Sequence, residues 1–271
     1  ELTGDPILVR TGAGMAPTAA ALAMDEHARQ FLQAANTLFS PRLRGGGFVP
    51  ATSDALFRVV ASDYLDPRFL PAVTARTRQL APGIGLEFLP LADGFDYAAA
   101  LAEGRADLVI GNWLRPPDDL HLGRLVSDEV VCLVAADHPF VKSSATRQWT
   151  VERYLGADHI APARFQVGSD GVVDDHLQSL GLKRRLAVRC AHFGLIPTMV
   201  AQSRLVLTTG RLYCQQQVDR LPVRIIRCPV PFPPLRYFQL WHPLSRSSPA
   251  LTWFREQVRD VARTLVDRGA S

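Results

Sequence analysis

One alternation of strands and helices occurs twice along the chain and limits its fold more than any other feature. Residues 55 to 62, Ala-Leu-Phe-Arg-Val-Val-Ala-Ser, read as an apolar strand. Asp66-Pro67 supplies an N-cap and first-turn pair for a helix with Phe69, Leu70, Val73, Thr77 and Leu80 on one face, and Pro82-Gly83 stops it. Ile84 to Leu91 is a second strand, Asp96 caps a short helix ending at Gly104, and Leu108 to Gly111 is a buried strand. A β-α-β-α-β order of this kind implies a parallel sheet covered by helices on both faces.

The second block repeats the order. His159 to Ala161 is a short strand, Val172 to Leu180 a helix ended by Gly181, and Arg185 to Arg189 a strand. Leu195 to Gln202 is a helix, and Leu205 to Thr208 a strand ending at Gly210. Two apolar segments, Val130 to Ala135 and Tyr237 to Trp241, are placed to cross between the blocks, and a last helix opens at Ser248-Pro249. The expected architecture is α/β: two Rossmann-like lobes joined by two crossings, a hinged clamp. Lobe I covers about 48–135 plus 237–271, and lobe II about 136–236.

A separate element precedes the clamp. Ile7 to Arg10 is a short strand before a glycine turn at Gly12 and Gly14. Gly-x-Gly after a strand is how a dinucleotide-binding turn begins, but Pro17 occupies the third glycine position and no acidic ribose anchor follows. Thr18 caps an alanine-rich helix running to about Phe39. Met24, Ala28, Phe31, Ala35 and Leu38 are spaced 4, 3, 4, 3 along it, a heptad seam that serves either a core or a second copy of the chain. Ser40-Pro41 and the triglycine 45–47 end the helix in a linker, which favours the second copy.

Charge excludes less than its total implies. The net charge of +4 invites a nucleic-acid partner, yet residues 183 to 227 hold nine basic residues against Asp219 alone, so the rest of the chain is net negative. Residues 1 to 44 are balanced, four basic against four acidic. No run of about 18 apolar residues is available to span a membrane. Cys132, Cys190, Cys214 and Cys228 lack Cys-x-x-Cys spacing, and His121, His138, His159 and His176 lack ligand spacing, so neither metal nor cofactor is expected. Ser169 between glycines has no base or orienting acid, and Cys190 with His192 has no third group, so no catalytic residue is assigned.

Leu2, Gly4, Leu8-Val9-Arg10, Gly14, Pro17-Thr18 and Ala21 resemble the wing and linker helix of LysR-type transcriptional regulators. The two-lobe clamp resembles that family's type II periplasmic-binding-protein-like effector domain over about residues 50 to 268. The resemblance implies three parts: a wing remnant at 1–17, a dimerisation helix and hinge at 18–47, and an effector domain at 48–271. The helices that precede the wing in that family, the recognition helix included, have no counterpart here. The chain as it stands is therefore not expected to read operator bases. The implied partners are operator DNA in the complete protein, a small-molecule effector, and copies of itself as homodimer and homotetramer. The implied location is the cytoplasm, without a membrane partner; Arg10 and Thr11 are the DNA-backbone candidates.

In open α/β sheets ligands sit beyond the carboxyl ends of the strands. That rule selects Ser62, Asp63, Asn112, Arg164, Phe165, His192, Phe193 and Thr209 as effector contacts. Each also has a plain structural role open to it: strand terminator, turn residue, core ring or solvent-facing cation. Ser62-Asp63, Gly181 to Arg185, His192-Phe193 and Trp241-His242 resemble the aromatic-responsive branch of the family, with an aromatic carboxylate as one candidate effector. Gly181 to Arg185 is assigned to the scaffold. A solute-binding protein or small-molecule enzyme on the same clamp is the other reading, and residues 1 to 39, useless to either, separate the two.

Overall fold

A computed structural model describes residues 6–11, 14–39, 48–61, 66–91, 94–113, 117–141, 149–163 and 169–269. The chain divides into two compact units, Glu1–Val49 and Pro50–Ser271.

In the first unit, β1 (Leu8–Thr11) and β2 (Gly14–Pro17) form an antiparallel hairpin in which Leu8 pairs with Pro17 and Thr11 with Gly14. The second of these strands was read in the sequence as turn only. Helix α1 (Ala19–Phe39) follows. Thr18 caps it, accepting a hydrogen bond from the Ala21 N–H at 3.1 Å while donating to the Pro6 carbonyl at 2.9 Å. Its 21 residues make it nearly twice the average globular helix.

In the second unit, β3 (Leu56–Ala61), α2 (Phe69–Leu80), β4 (Gly85–Pro90), α3 (Tyr97–Ala102) and β5 (Leu108–Asn112) realise the first alternation. Helix α2 starts later than Pro67. Asp66 instead makes a turn one step upstream, its carboxylate accepting the Arg68 N–H at 2.9 Å. Asp96 does cap α3, accepting from Ala99 N–H at 2.9 Å. Next come β6 (His121–Asp128) and β7 (Val130–Ala135). The second alternation comprises α4 (Val151–Gly156), β8 (Asp158–Pro162), α5 (Val172–Ser179), β9 (Arg185–Cys190), α6 (Ile196–Ala201) and β10 (Val206–Gly210). Helix α7 (Arg211–Val218), β11 (Val223–Arg227), β12 (Leu235–Trp241) and α8 (Pro249–Gly269) complete the chain.

The strands form two sheets of the same plan. The first runs β4-β3-β5-β12-β6 and the second β9-β8-β10-β7-β11. In each, three parallel strands carry the alternation. A fourth strand then runs antiparallel: β12 against β5, and β7 against β10. Each alternation gives the expected parallel strands, and each sheet is extended by a fourth, antiparallel strand that arrives directly from the other sheet. The same fact moves the lobe boundary. Val130 to Ala135, read as a crossing strand with lobe I ending at about 135, pairs inside the second sheet, and Leu235-Arg236 already belong to the first. One crossing is Glu129 alone; the other is 228–234.

Strands β5, β7 and β10 are buried along their whole length. That is what sheets covered on both faces require, and it is why their sequences read as unbroken apolar runs. Helix α8 closes the first sheet with Leu251, Phe254, Val258, Val261 and Leu265; Phe254 stacks on Phe57 at 4.5 Å between ring centroids. In the second sheet the Tyr154 hydroxyl hydrogen-bonds Thr208 at 2.9 Å.

Candidate effector cleft

The parallel strands of both sheets end near one another, and a cavity lies there. Asn112 enters it from the end of β5 and Leu235 from the start of β12, both in the first sheet. The second sheet contributes Pro162 and Ala163 after β8, and Thr208 and Thr209 from β10. Asp170 to Asp174, at the start of α5, Arg184 and Phe193 complete the described wall. The cleft holds about 510 Å³ of atom-free space, part of it continuous with solvent.

Burial sets the electrostatics of the wall. Arg184 is 5% exposed, and its Nε and Nη2 donate to the two carboxylate oxygens of Asp174 at 2.7 and 2.8 Å. Desolvation is the largest single influence and opposes the charged guanidinium, but the Asp174 hydrogen bonds together with the Coulombic influence of Tyr154, Asp174 and Cys132 hold its pKa above the ordinary value. Asp170 meets Arg189 at 3.4 Å. Behind the wall, His159 is fully buried and bonds the Tyr154 carbonyl through Nε2 at 2.6 Å. Desolvation pushes its pKa down to about 4, so it is neutral. Phe193 is 1% exposed, packs on Tyr213 at 4.6 Å, and accepts the Tyr213 hydroxyl at its carbonyl.

Of the residues singled out in the sequence, Asn112, Phe193 and Thr209 come together on this wall. His192 is exposed and outside it; its carbonyl accepts the Leu195 N–H at 3.0 Å. Ser62, Asp63, Arg164 and Phe165 lie outside the described residues. Arg184, Asp170, Asp174 and Thr208 were missed. Arg184 was assigned to the scaffold because it stands in a basic run, and basic runs usually face solvent. Only the spacing of Asp174 and Arg184 across the α5–β9 turn hinted at a buried pair.

In the first unit, Met24, Ala28 and Phe31 are exposed on α1. Ala35 and Leu38 fall on the same helix, but their side chains, like that of Thr11, lie outside the described residues, as does the linker 40–47. Among the described residues no three His, Cys, Asp or Glu side chains group to hold a metal, and no helix is long and apolar enough to cross a membrane.

A two-sheet clamp with its cleft at the strand ends is shared by many binding domains, and sequence likeness decides among them. Residues 51–263 match the family model described as the LysR substrate binding domain. The chain belongs to the LysR family. Nodulation protein D 2 of Rhizobium tropici is 33% identical over 219 residues, covering 81% of this chain and 68% of the relative. Nodulation protein D 1 of the same species is 30% identical, covering 77% and 66%. The chain thus spans about two thirds of the length of these relatives. Among solved structures, the probable transcriptional regulator PA0477 from Pseudomonas aeruginosa superposes with a TM-score of 0.79 at 25% identity, over 95% of this chain and 82% of that one. The BenM effector-binding domain, solved with its effector benzoate, shares the fold with a TM-score of 0.62 at 14% identity, over 81% and 95%. This LysR family member is a transcriptional regulator with an effector-binding domain, and not an enzyme. Its two sheets are those of the periplasmic-binding-protein-like fold.

Proposed function

We propose that a small, ring-bearing molecule binds between the two lobes, shifts the population of a hinged clamp, and thereby changes how a homotetramer sits on operator DNA. The observation that carries this reading is the cleft itself, where Asn112 of one sheet and Thr209 and Phe193 of the other face one cavity at the strand ends. Ser62, Asp63, Arg164 and Phe165 complete the proposed contact set from neighbouring strand ends, with His192 flanking Phe193. Residues 1–17 act as wing, with Arg10 and Thr11 on the DNA backbone, and 18–47 as dimerisation helix and hinge. The seam is Met24, Ala28, Phe31, Ala35 and Leu38, a reading supported by the exposure of Met24 and Phe31. The protein works in the cytoplasm, where operator DNA is.

Thermal shift tests the cleft. A ligand present at 100 times its Kd stabilises the chain by about 2.7 kcal/mol. Asn112→Ala and Thr209→Val are each expected to reduce that shift for a cleft ligand. Shifts that survive both substitutions overturn the assignment of the cleft.

A further inference from the structure

The charge on the cleft wall restricts what the cleft can hold; this inference rests on the reading of the cleft as the effector site. Three described lining residues are charged, Asp170, Asp174 and Arg184, and each already has a partner. Arg184 is held bidentately by Asp174, and Asp170 by Arg189. Asp174 and Asp175 also stand in the first turn of α5, where a negative side chain already complements the helix end that attracts anions. Among the described lining residues no cation is left unpaired, so a carboxylate held by them must either displace Asp174 from a desolvated guanidinium or lie against acidic side chains. Breaking a buried pair is costly because one charge is left uncompensated.

Two polar atoms of the same wall do lack a partner. They are Asn112 Oδ1, at the end of β5 in the first sheet, and Arg184 Nη1, from the residue just before β9 in the second lobe; both residues are 5% exposed. A buried polar atom without a hydrogen bond destabilises the fold until something supplies one. The first atom calls for a donor, the second for an acceptor. Phe193, Val172 and Leu235 surround them with apolar surface.

The geometry points to an uncharged effector, a small ring-bearing molecule whose polar edge carries both a donor and an acceptor, as a carboxamide does. Asn112 receives its donor and Arg184 its acceptor, which makes Arg184 a specificity residue. Because these residues belong to different lobes, a ligand edge that reaches both atoms ties the lobes together. Asp174 acts by neutralising Arg184, and so sets the preference against the matching acid.

Matched pairs of equal shape test this: benzamide against benzoate, nicotinamide against nicotinate, and cinnamamide against cinnamate, titrated calorimetrically into the full chain. At least one amide is expected to bind about tenfold tighter than its acid. Asn112→Ala, with the fold checked by circular dichroism, is expected to weaken that amide about fivefold, the effect of one lost hydrogen bond. Asp174→Asn, which keeps the shape and frees the Arg184 charge, is expected to move the preference toward the acid by about tenfold. Tighter binding of the acids, above all binding lost in Arg164→Ala, overturns the inference and leaves the cleft reading standing. Failure of both members of every pair also overturns it. Binding that neither Asn112→Ala nor Thr209→Val alters defeats the cleft reading itself.

Discussion

Asp128 stands at the last position of β6, one residue before the chain crosses to the second sheet. Its carboxylate accepts the Leu212 N–H at 3.1 and 3.3 Å, so a side chain of the first sheet caps a helix of the second lobe. Arg211 adds to the lock, with its N–H on the Glu129 carbonyl and its guanidinium on the Glu129 carboxylate. Desolvation raises Asp128 to about 6, against hydrogen bonds from Leu212, Glu129 and Arg211 that pull the other way. The folded pKa lies above the unfolded value, so the stabilising contribution is full below about pH 4 and is lost as pH rises through about 6. Asp128→Asn is therefore expected to remove a loss of up to about 3 kcal/mol between pH 4 and pH 8, read in paired urea melts as a variant that gains stability at pH 8 relative to pH 4 when compared with the wild type. His159 acts oppositely. Its lowered pKa gives stability present above about pH 6.5 and lost as pH falls toward about 4, so the wild-type profile is flatter than either residue alone dictates. Gly210 follows from the same lock. A Cβ there runs into the Asp128 carboxylate, and Gly210→Ala is expected to cost about 2–3 kcal/mol, read as a lower urea midpoint at unchanged slope.

At the scale of elements, helix α1 is the clearest case of an apolar surface left without cover. Phe31 is 73% exposed and Met24 43%, and rings this open are unusual on a helix that must be soluble by itself. Phe31→Glu removes nothing the described chain packs on, so its folding is expected to stay unchanged. Light scattering after gel filtration should then show the proposed dimer falling toward monomer; a dimer that withstands the change excludes this seam. Other elements explain which signals a sequence carries. β5, β7 and β10 were legible because double-sided burial demands apolar runs. Helix α7 was not: Leu212, Tyr213 and Cys214 are consecutive, its remaining face is glutamine, and no 3.6-residue stripe emerges. β11 is five residues with an arginine at its end, and β6 alternates too irregularly to be read as a strand.

For the whole molecule, two short crossings, Glu129 and 228–234, join lobes of the same plan, and the cavity lies between those lobes. A ligand that contacts both lobes is expected to change how they sit about these crossings. Small-angle scattering of the full chain, with and without a ligand found by thermal shift, is expected to give different profiles; superimposable profiles would count against a clamp that moves. The basic segment 183–227 also looks different at this scale. Arg184, Arg185, Arg189 and Arg211 pair with Asp174, Asp158, Asp170 and Glu129, all outside that segment. Much of the local excess is thus consumed by ion pairs and is not presented as an open field for DNA or for an anionic ligand.

Periodicity, caps and breakers by themselves determined that this chain makes a capped heptad helix followed by two α/β repeats. These are local consequences of side-chain spacing and backbone preference, legible wherever burial is one-sided or complete. Strand-end geometry was legible too, and it nominated Asn112, Phe193 and Thr209. Only the tertiary structure decided that each lobe borrows its fourth strand from the crossing, that Val130 to Ala135 belongs to the second sheet, and that Arg184 turns inward to Asp174. The two strand pairings join segments 74 to 131 residues apart, and Arg184, only ten residues from Asp174, turns inward because the surrounding core buries it; both outcomes are set by the packing of the finished core, which no local pattern records.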